Sequence, residues 1–278
     1  MRVLPMINPQ RAWALQADRR EDDSSHKEAQ YAEASTVYEF PSRVAYKARD
    51  SDARSHWESG EFFRDLSIQA IREFESIAAT RHYPASAVLI REEQEPSNVM
   101  FLLEGRVKLS INSIDGRRLI VGIASAGEIL GLTSAISGCP HVITAEAQFP
   151  CMIAWLQREA FLDFLMHCPM AGQNVMRELS LDYNRTAQQL RILGLIVTAR
   201  AKLARLYLGW GKEGEQTKRG VRIHCSLTHG EIGEHIGVSR ETITRTMKDF
   251  KSQGLVEQHG SILIIKNLEA LEAYQYAI

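Results

Sequence analysis

Cysteine is scarce in this chain: four residues in 278, at Cys139, Cys151, Cys168 and Cys225, with no C-x-x-C pair. That spread argues against a disulfide framework and against a zinc or iron–sulfur site of ordinary spacing. The default is four reduced thiols, mostly buried. Long apolar runs are missing too. No stretch approaches the ~18 residues of a membrane span, and the N-terminus lacks the apolar core of a secretory signal, so a cytoplasmic protein without membrane contact is expected. Net charge is nearly absent: 33 Lys and Arg face 34 Asp and Glu, for a formal charge of −1. A global basic signature of nucleic-acid binding is therefore lacking. No nucleophile–base pair, Gly-rich phosphate loop or metal triad stands out, which argues against an enzyme.

What is present concentrates near the C-terminus. From residue 197 onward there are twelve Lys and Arg against nine Asp and Glu, a local charge of +3 that favours DNA contact weakly. Within this part, residues 226–245 read as a helix, a Gly-Val-Ser turn and a second helix. Thr228 and Glu231 have capping-box spacing, and Leu227 with Ile232 fits a hydrophobic staple. Ser239 repeats the N-cap before the second helix, with Val238 against Ile243. Ile243, Met247 and Phe250 fall on one helical face and should be core. Glu241, Thr244, Arg245 and Lys248 recur at i, i+3, i+4 and i+7 as a polar stripe, and Arg240 sits in the first turn. On an arbitrary helix such a stripe is a solvated face. After a capped helix and a tight turn it reads as the recognition face of a DNA-binding helix-turn-helix. Arg can hold guanine O6 and N7 through two hydrogen bonds, and Glu can accept from cytosine N4.

The rest of the chain divides by texture. Residues 1–58 are polar, charge-mixed and aperiodic, which predicts a mobile extension; Trp13 and Trp57 would anchor it if it docked instead. Phe62, Phe63, Leu66, Ile71, Phe74 and Ile77 suggest one or two short helices. Six short runs rich in Val, Ile, Leu and Phe follow: Ala87–Arg91, Val99–Leu103, Arg106–Ile111, Leu119–Ala124, Val142–Ala147 and Met152–Leu156. Asp115-Gly116 is a strong hairpin turn between two of them. So many short strands imply an antiparallel β-roll or barrel, placed at 59–167. A long helix begins at Pro169. Its positions Met176, Leu179, Tyr183, Thr186, Leu190 and Leu193 are spaced 3, 4, 3, 4, 3, a seam suited to pairing with a copy of itself or to packing on the chain's own roll. Gly194 is a plausible hinge, so 168–196 forms the dimerisation segment. Residues 197–278 then hold a helix over 197–210, a loop from Gly209 to Gly220 and the helix-turn-helix. Leu255–Glu257 and Ile262–Ile265 flank His259-Gly260 as a β-wing.

This order, an α+β arrangement of β-roll, long helix and winged helix-turn-helix, resembles the cyclic-AMP receptor protein and fumarate–nitrate regulator (Crp/Fnr) superfamily of bacterial transcription regulators. The resemblance covers about residues 61–270. Its most specific portion is Glu231-Ile232-Gly233 with Val238-Ser239-Arg240-Glu241-Thr242-Ile243-Thr244-Arg245. It implies a cyclic-nucleotide-binding-like jelly roll and a homodimer on a DNA palindrome, with RNA polymerase as a further partner of an activator. In the cyclic-AMP receptor branch, the residues matching Arg240, Glu241 and Arg245 read a TGTGA half-site. The other branch usually lacks the first Arg, so Arg240 favours TGTGA over TTGAT, with Thr244 on the same reading face. By the same resemblance Thr228, His229, Ser239 and Lys248 lie near phosphates.

The sensing half departs from the family pattern. Cyclic-nucleotide binders place a Glu on the ribose and an Arg on the cyclic phosphate. Here Leu132 follows Gly131 in place of the Glu, and Val142 or Ile143 stands where the Arg belongs. The implied effector pocket, Gly131, Leu132, Ile143, Thr144 and Thr186, thus offers no charge-assisted partner to a phosphate, which argues against cyclic AMP in the usual mode. An N-terminal cysteine cluster for iron–sulfur sensing is absent. Cys139-Pro140-His141 is a minority candidate for haem or redox sensing, against a plain surface turn. His229 and His235, six apart on one helix, face different ways and do not suggest a shared metal. The alternative to a DNA regulator is a haem- or small-molecule-binding sensor module whose winged helix serves protein contact.

Overall fold

A computed structural model of the chain describes residues 60–212 and 214–274; the extension expected over 1–58 lies outside the described residues. A 3₁₀ turn, Glu61–Phe63, leads into helix α1 (Ile68–Ile77). The Ser67 hydroxyl caps α1 by accepting from the Ala70 amide. The roll follows with eight strands: β1 (Ala79–Tyr83), β2 (Val88–Ile90), β3 (Asn98–Glu104), β4 (Arg106–Asn112), β5 (Arg118–Ser125), β6 (Ile129–Leu130), β7 (Thr144–Ala147) and β8 (Cys151–Gln157). Helix α2 (Leu132–Ser137) interrupts it after β6. The six expected strands are present. β1 and β6 are additional, because ATRHY carries too few apolar residues to alternate and a two-residue strand leaves no pattern. Two antiparallel sheets result, in the orders β1-β8-β3-β6 and β2-β7-β4-β5. Asp115-Gly116 turns β4 into β5, which pair from Arg106 opposite Ser125 to Asn112 opposite Arg118.

The central strands of the first sheet, β3 and β8, are largely buried on both faces and therefore read as continuous apolar runs. Leu102 of β3 and Ile153 of β8 point between the sheets, among Ile90, Val107, Leu130 and Ala145. Val99, Phe101, Ala154 and Leu156 point the other way, toward the helices, into a core with Phe62, Phe74, Phe161 and Phe164. Phe74 and Phe101 meet edge to face with centroids 4.8 Å apart, the arrangement that ring quadrupoles favour. Between β3 and β4 the chain turns at Gly105 with φ +99°, where a Cβ would stand 2.6 Å from Cys151 Sγ.

Helix α3 (Arg158–His167) joins the roll to α4 (Pro169–Gly194). Ala171, Asn174, Val175 and Glu178, one stripe at helical spacing, seat the first half of α4 on the roll. Beyond them the helix turns exposed residues outward as far as Arg191 on most of its faces. It ends at Gly194, the expected hinge position, and Leu195 and Val197 lie exposed beside it. The winged part contains α5 (Ala199–Gly211), β9 (Glu215–Thr217), β10 (Gly220–His224), α6 (His229–Ile236), α7 (Arg240–Ser252), β11 (Val256–His259), β12 (Ile262–Ile265) and α8 (Leu268–Ala273). The segment expected as a loop up to Gly220 includes β9, and the wing belongs to a four-stranded sheet, β11-β12-β10-β9. Ile232, Ile236, Ile243, Met247 and Phe250 share one core with Leu203, Tyr207, Val221 and Leu263. Among the described residues no helix is long and apolar enough to cross a membrane. Cys151 and Cys225 are buried, Cys168 is half-buried and Cys139 is exposed, so the thiols are less uniformly buried than expected.

Candidate nucleic-acid interface

Both helices of the helix-turn-helix start where the sequence signals them. Thr228 caps α6: its hydroxyl accepts from the Glu231 amide at 3.2 Å, and Glu231 Oε2 accepts from the Thr228 amide at 2.9 Å. Gly237, in the left-handed region at φ +67°, ends α6, and the Val238 amide returns to the Gly233 carbonyl at 3.0 Å. The turn is so close that a Cβ on Gly233 would lie 2.5 Å from the Val238 carbonyl oxygen. Ser239 then caps α7 through the Thr242 amide at 3.2 Å.

These starts fix which side of α7 is free. Ile243, Thr246, Met247 and Phe250 are buried, while Arg240, Glu241, Thr244, Arg245 and Lys248 are exposed. Among the described residues none forms an ion pair with Arg240, Arg245 or Lys248. Asp249, one turn beyond Arg245, is held by Arg200 of α5 at 2.7 Å. The Glu241 carboxyl lies below its ordinary pKa because its own backbone amide and the Ser239 hydroxyl donate to it. Thr244 Oγ1 donates to the Arg240 carbonyl at 3.0 Å and meets His229 Nδ1 at 3.0 Å. An expected base-reading residue and an expected phosphate neighbour are thereby linked. Burial, with help from Lys251 and Arg240, lowers the His229 pKa at the start of α6. An open groove of about 460 Å³ runs past this point, lined by Phe149, Thr228, His229, Gln258, Gly260 and Ser261. Ser239, the cap of α7, and Lys248 on it are exposed and do not line that groove.

The residues expected around an effector are less closely grouped. Gly131 adopts φ +78° at the start of α2, with the His141 ring against it: a Cβ there would be 3.0 Å from His141 Cε1. The Leu132 side chain is 2 % exposed and belongs to the helix-side aromatic core, not the interior between the sheets. Val142 is 69 % exposed. Ile143 and Thr144 are half-buried, and Thr144 Oγ1 accepts from the Glu92 amide at 3.3 Å. Thr186 is exposed on α4. His141, expected on a surface turn, is buried, and burial lowers its pKa. Cys139 next to it is exposed.

The expected dimer seam splits by exposure. Met176, Tyr183 and Leu190, seven residues apart, are 61 %, 75 % and 63 % exposed. Leu179 packs on the helix-side core of the roll, Leu193 lies 3.1 Å from where a Gly237 Cβ would stand, and Thr186 is exposed.

Sequence reasoning missed a second set of polar residues, those holding α6 to the roll. Lys108 of β4 reaches Glu231 at 2.9 Å and Glu146 of β7 at 3.5 Å. Arg118 of β5 reaches Glu234 at 2.8 Å and Glu146 at 3.6 Å. His235 Nδ1 donates to the Ile120 carbonyl at 2.8 Å. Charged residues alternating with apolar ones on a strand read as a solvent face, and nothing local marks the face as covered.

Comparisons with known proteins agree with this architecture. The cyclic nucleotide-binding domain family matches residues 80–168, and the Crp-like helix-turn-helix domain family matches residues 201–274. The cAMP-activated global transcriptional regulator CRP of Pasteurella multocida is 25% identical over 185 residues, 66% of this chain and 88% of that protein. FixK2 from Bradyrhizobium japonicum superposes with a TM-score of 0.64 at 19% identity, covering 73% of this chain and 99% of that one. The c-di-GMP responsive global regulator CLP of Xanthomonas campestris gives 0.62 at 20% identity, over 72% of this chain and 100% of that one.

Proposed function

The chain belongs to the Crp/Fnr superfamily and is a Crp-like transcription regulator, and we propose that it reads a TGTGA-like palindrome as a homodimer. The observation that carries this reading is the solvent-facing stripe of Arg240, Glu241 and Arg245 on α7, whose two arginines have no ion-pair partner among the described residues. An unpaired guanidinium on a helix fixed by its cap and core is ready to hold guanine O6 and N7. Glu241, kept ionised by its position in the first turn, accepts from cytosine N4 on the same groove floor. Thr228, His229 and the wing turn border the groove along which the phosphate backbone would run, while Ser239 and Lys248 flank the reading stripe. Two copies would set two α7 helices into successive major grooves about one helical turn apart. The Met176, Tyr183 and Leu190 ladder supports pairing of α4 with its copy. No catalytic step is part of this reading.

The input to the roll is a separate part of the proposal. The relatives named above are described as cAMP-activated and as c-di-GMP responsive, so proteins of this architecture differ in their signals. Here Leu132 is packed into a core, Val142 faces solvent and Ile143 is aliphatic. With no guanidinium at 142 or 143, a cyclic phosphate would lose its charge-assisted partner. We therefore assign the sensor an effector other than cyclic AMP bound in the usual mode.

Fluorescence anisotropy of the purified chain tests the reading. The duplexes carry TGTGA and TCACA about six base pairs apart, which places their centres about one turn from each other, or the same bases scrambled. A preference of about a thousandfold for the palindrome is expected. Equal affinity for both duplexes would overturn it. Added cyclic AMP should leave the palindrome isotherm where it was.

A further inference from the structure

Helix α6 carries no expected base-reading residue, yet it is the better anchored of the pair. Its cap residue Glu231 has two roles: Oε2 closes the capping box on Thr228, while Oε1 accepts from Lys108 of the roll. One turn on, Glu234 takes Arg118, and Glu146 lies between the two cations from β7. The His235 ring donates to the Ile120 carbonyl from a site only 9 % exposed. On the other flank, Gln189 of α4 donates to the His235 carbonyl. Just upstream of α6, the Gln148 amide donates to the Ser226 carbonyl at 3.0 Å and accepts from the Ser226 hydroxyl.

We propose that Lys108, Arg118 and His235 are positioning residues for DNA recognition: they latch α6 to the outer face of the β2-β7-β4-β5 sheet and so set the half-site spacing that the dimer accepts. The inference rests on the homodimeric reading above. Its physical basis is the directionality of the contacts. Apolar residues would hold two surfaces together at least as firmly as partly buried ion pairs do, because removing charge from water offsets most of the Coulomb gain. What a polar network adds is one permitted register, since a displaced carboxylate or imidazole loses its partner while still desolvated. A register fixed between roll and α6 passes to α7 through the tight Gly233 to Ser239 turn. In a dimer, the separation of the two α7 helices then follows from where each roll holds its α6. Arg240, Glu241 and Arg245 stay exposed in this latched arrangement, so the latch presents the reading face. It also gives the sensor sheet a route to the reader that is separate from the end of α4 at Gly194.

Three variants of the full chain test the latch: Lys108→Met, Arg118→Glu, and a charge swap of Arg118→Glu with Glu234→Arg that also carries Glu146→Gln, because Glu146 pairs Arg118 and would repel a carboxylate there. Glu231 is left intact because it also caps α6. Binding is measured by anisotropy on palindromes whose half-sites lie at the optimal distance or one base pair closer or farther. The wild type should favour its optimal spacer by about tenfold or more, and each single variant should lose most of that ratio. Preference for intact over scrambled half-sites should persist, because the base-reading side chains are untouched. The charge-swapped pair should regain the spacing ratio, which a variant that merely misfolds would not do. A spacing ratio unchanged in both single variants, or not regained in the swap, overturns the latch. Amide hydrogen exchange over residues 232–236 without DNA gives an arm independent of recognition: exchange should quicken in Arg118→Glu and slow again in the swap, and equal rates in all three proteins overturn the latch. Failure of the DNA-reading proposal is recognised separately, as a wild type that binds palindrome and scrambled duplex alike.

Discussion

At the scale of single residues, Arg240 and Arg245 differ from Lys248 in what they can read, although all three are exposed on α7. A guanidinium presents a planar fork that matches two acceptors on one guanine, whereas an ammonium is a point charge suited to phosphate. Arg240→Ala should weaken binding to the palindrome by about 1–3 kcal/mol and relax one base position. Lys248→Ala should weaken matched and scrambled duplexes alike and reduce the salt slope by about one. Anisotropy on single-base variants of the half-site at two salt concentrations separates the two. Equal loss on all sequences in Arg240→Ala would contradict base reading.

Proton linkage is also a property of residues, and two side chains pull in opposite directions. Burial holds the His235 pKa below 6.5, with the bond to the Ile120 carbonyl only partly offsetting it. The unfolded chain therefore takes up that proton first, so the His235 contribution is present above about pH 6.5 and is lost as pH falls toward the folded pKa. Glu128 behaves inversely. Burial raises it to about 7, against the lowering effect of Arg185 3.5 Å away. The folded state keeps this proton where the unfolded carboxyl has lost it, so its contribution is full below about pH 4.5 and disappears as pH rises through about 7. Thermal melts between about pH 5 and pH 8 should show a shallower acid loss for His235→Gln than for the wild type and a steeper one for Glu128→Gln. Parallel curves for all three proteins would refute both assignments.

At the scale of elements, the helix-turn-helix was legible because its signals are local. A capping box spans four residues, and Ile243, Met247 and Phe250 repeat within two turns, so neither depends on distant chain. Those signals carry measurable stability. Ser239→Ala removes the acceptor of the Thr242 amide and should cost about 1 kcal/mol in urea denaturation. Gly233→Ala should cost more, since its Cβ would meet the Val238 carbonyl oxygen at 2.5 Å and the backbone itself must move. If Gly233→Ala were as stable as the wild type, the turn would not be as tight as described. Helix α3 went unread for the opposite reason. Ala160, Phe161, Leu162, Phe164, Leu165 and Met166 surround most of its circumference, so no polar face sets off a stripe. β1 and β9 were missed because pairing partners, not their own composition, make them strands, whereas β10 carries only one short alternation, Val221-Arg222-Ile223, between the expected loop and the helix-turn-helix. His141 was placed on a surface turn and is buried, because Cys139-Pro140 carries turn character up to its neighbour while the ring packs against distant Gly131.

At the scale of the whole molecule, the order of roll, long helix and winged helix-turn-helix was readable from changes in texture along the chain. The seating of α6 on the roll was not, since it depends on Lys108 and Arg118 finding Glu231 and Glu234, 123 and 116 residues away. The arrangement of two copies depends on α4. The first half of this helix has its buried stripe on the roll, while Met176, Tyr183 and Leu190 along its whole length stand in solvent at intervals of seven. On the homodimeric reading proposed above, this heptad ladder is the half-interface that the two copies of α4 would pair. Introducing charge at its centre and end, Tyr183→Glu with Leu190→Glu, places four carboxylates at a two-fold seam without touching the core of the roll or of the winged domain. Sedimentation equilibrium should then report a monomer whose circular dichroism matches the wild type. Affinity for the palindrome should fall toward that for a single half-site, because the second half-site is no longer delivered by the same complex. A double variant that still sediments as a dimer would move the interface elsewhere on the molecule and leave the exposed ladder to some other partner.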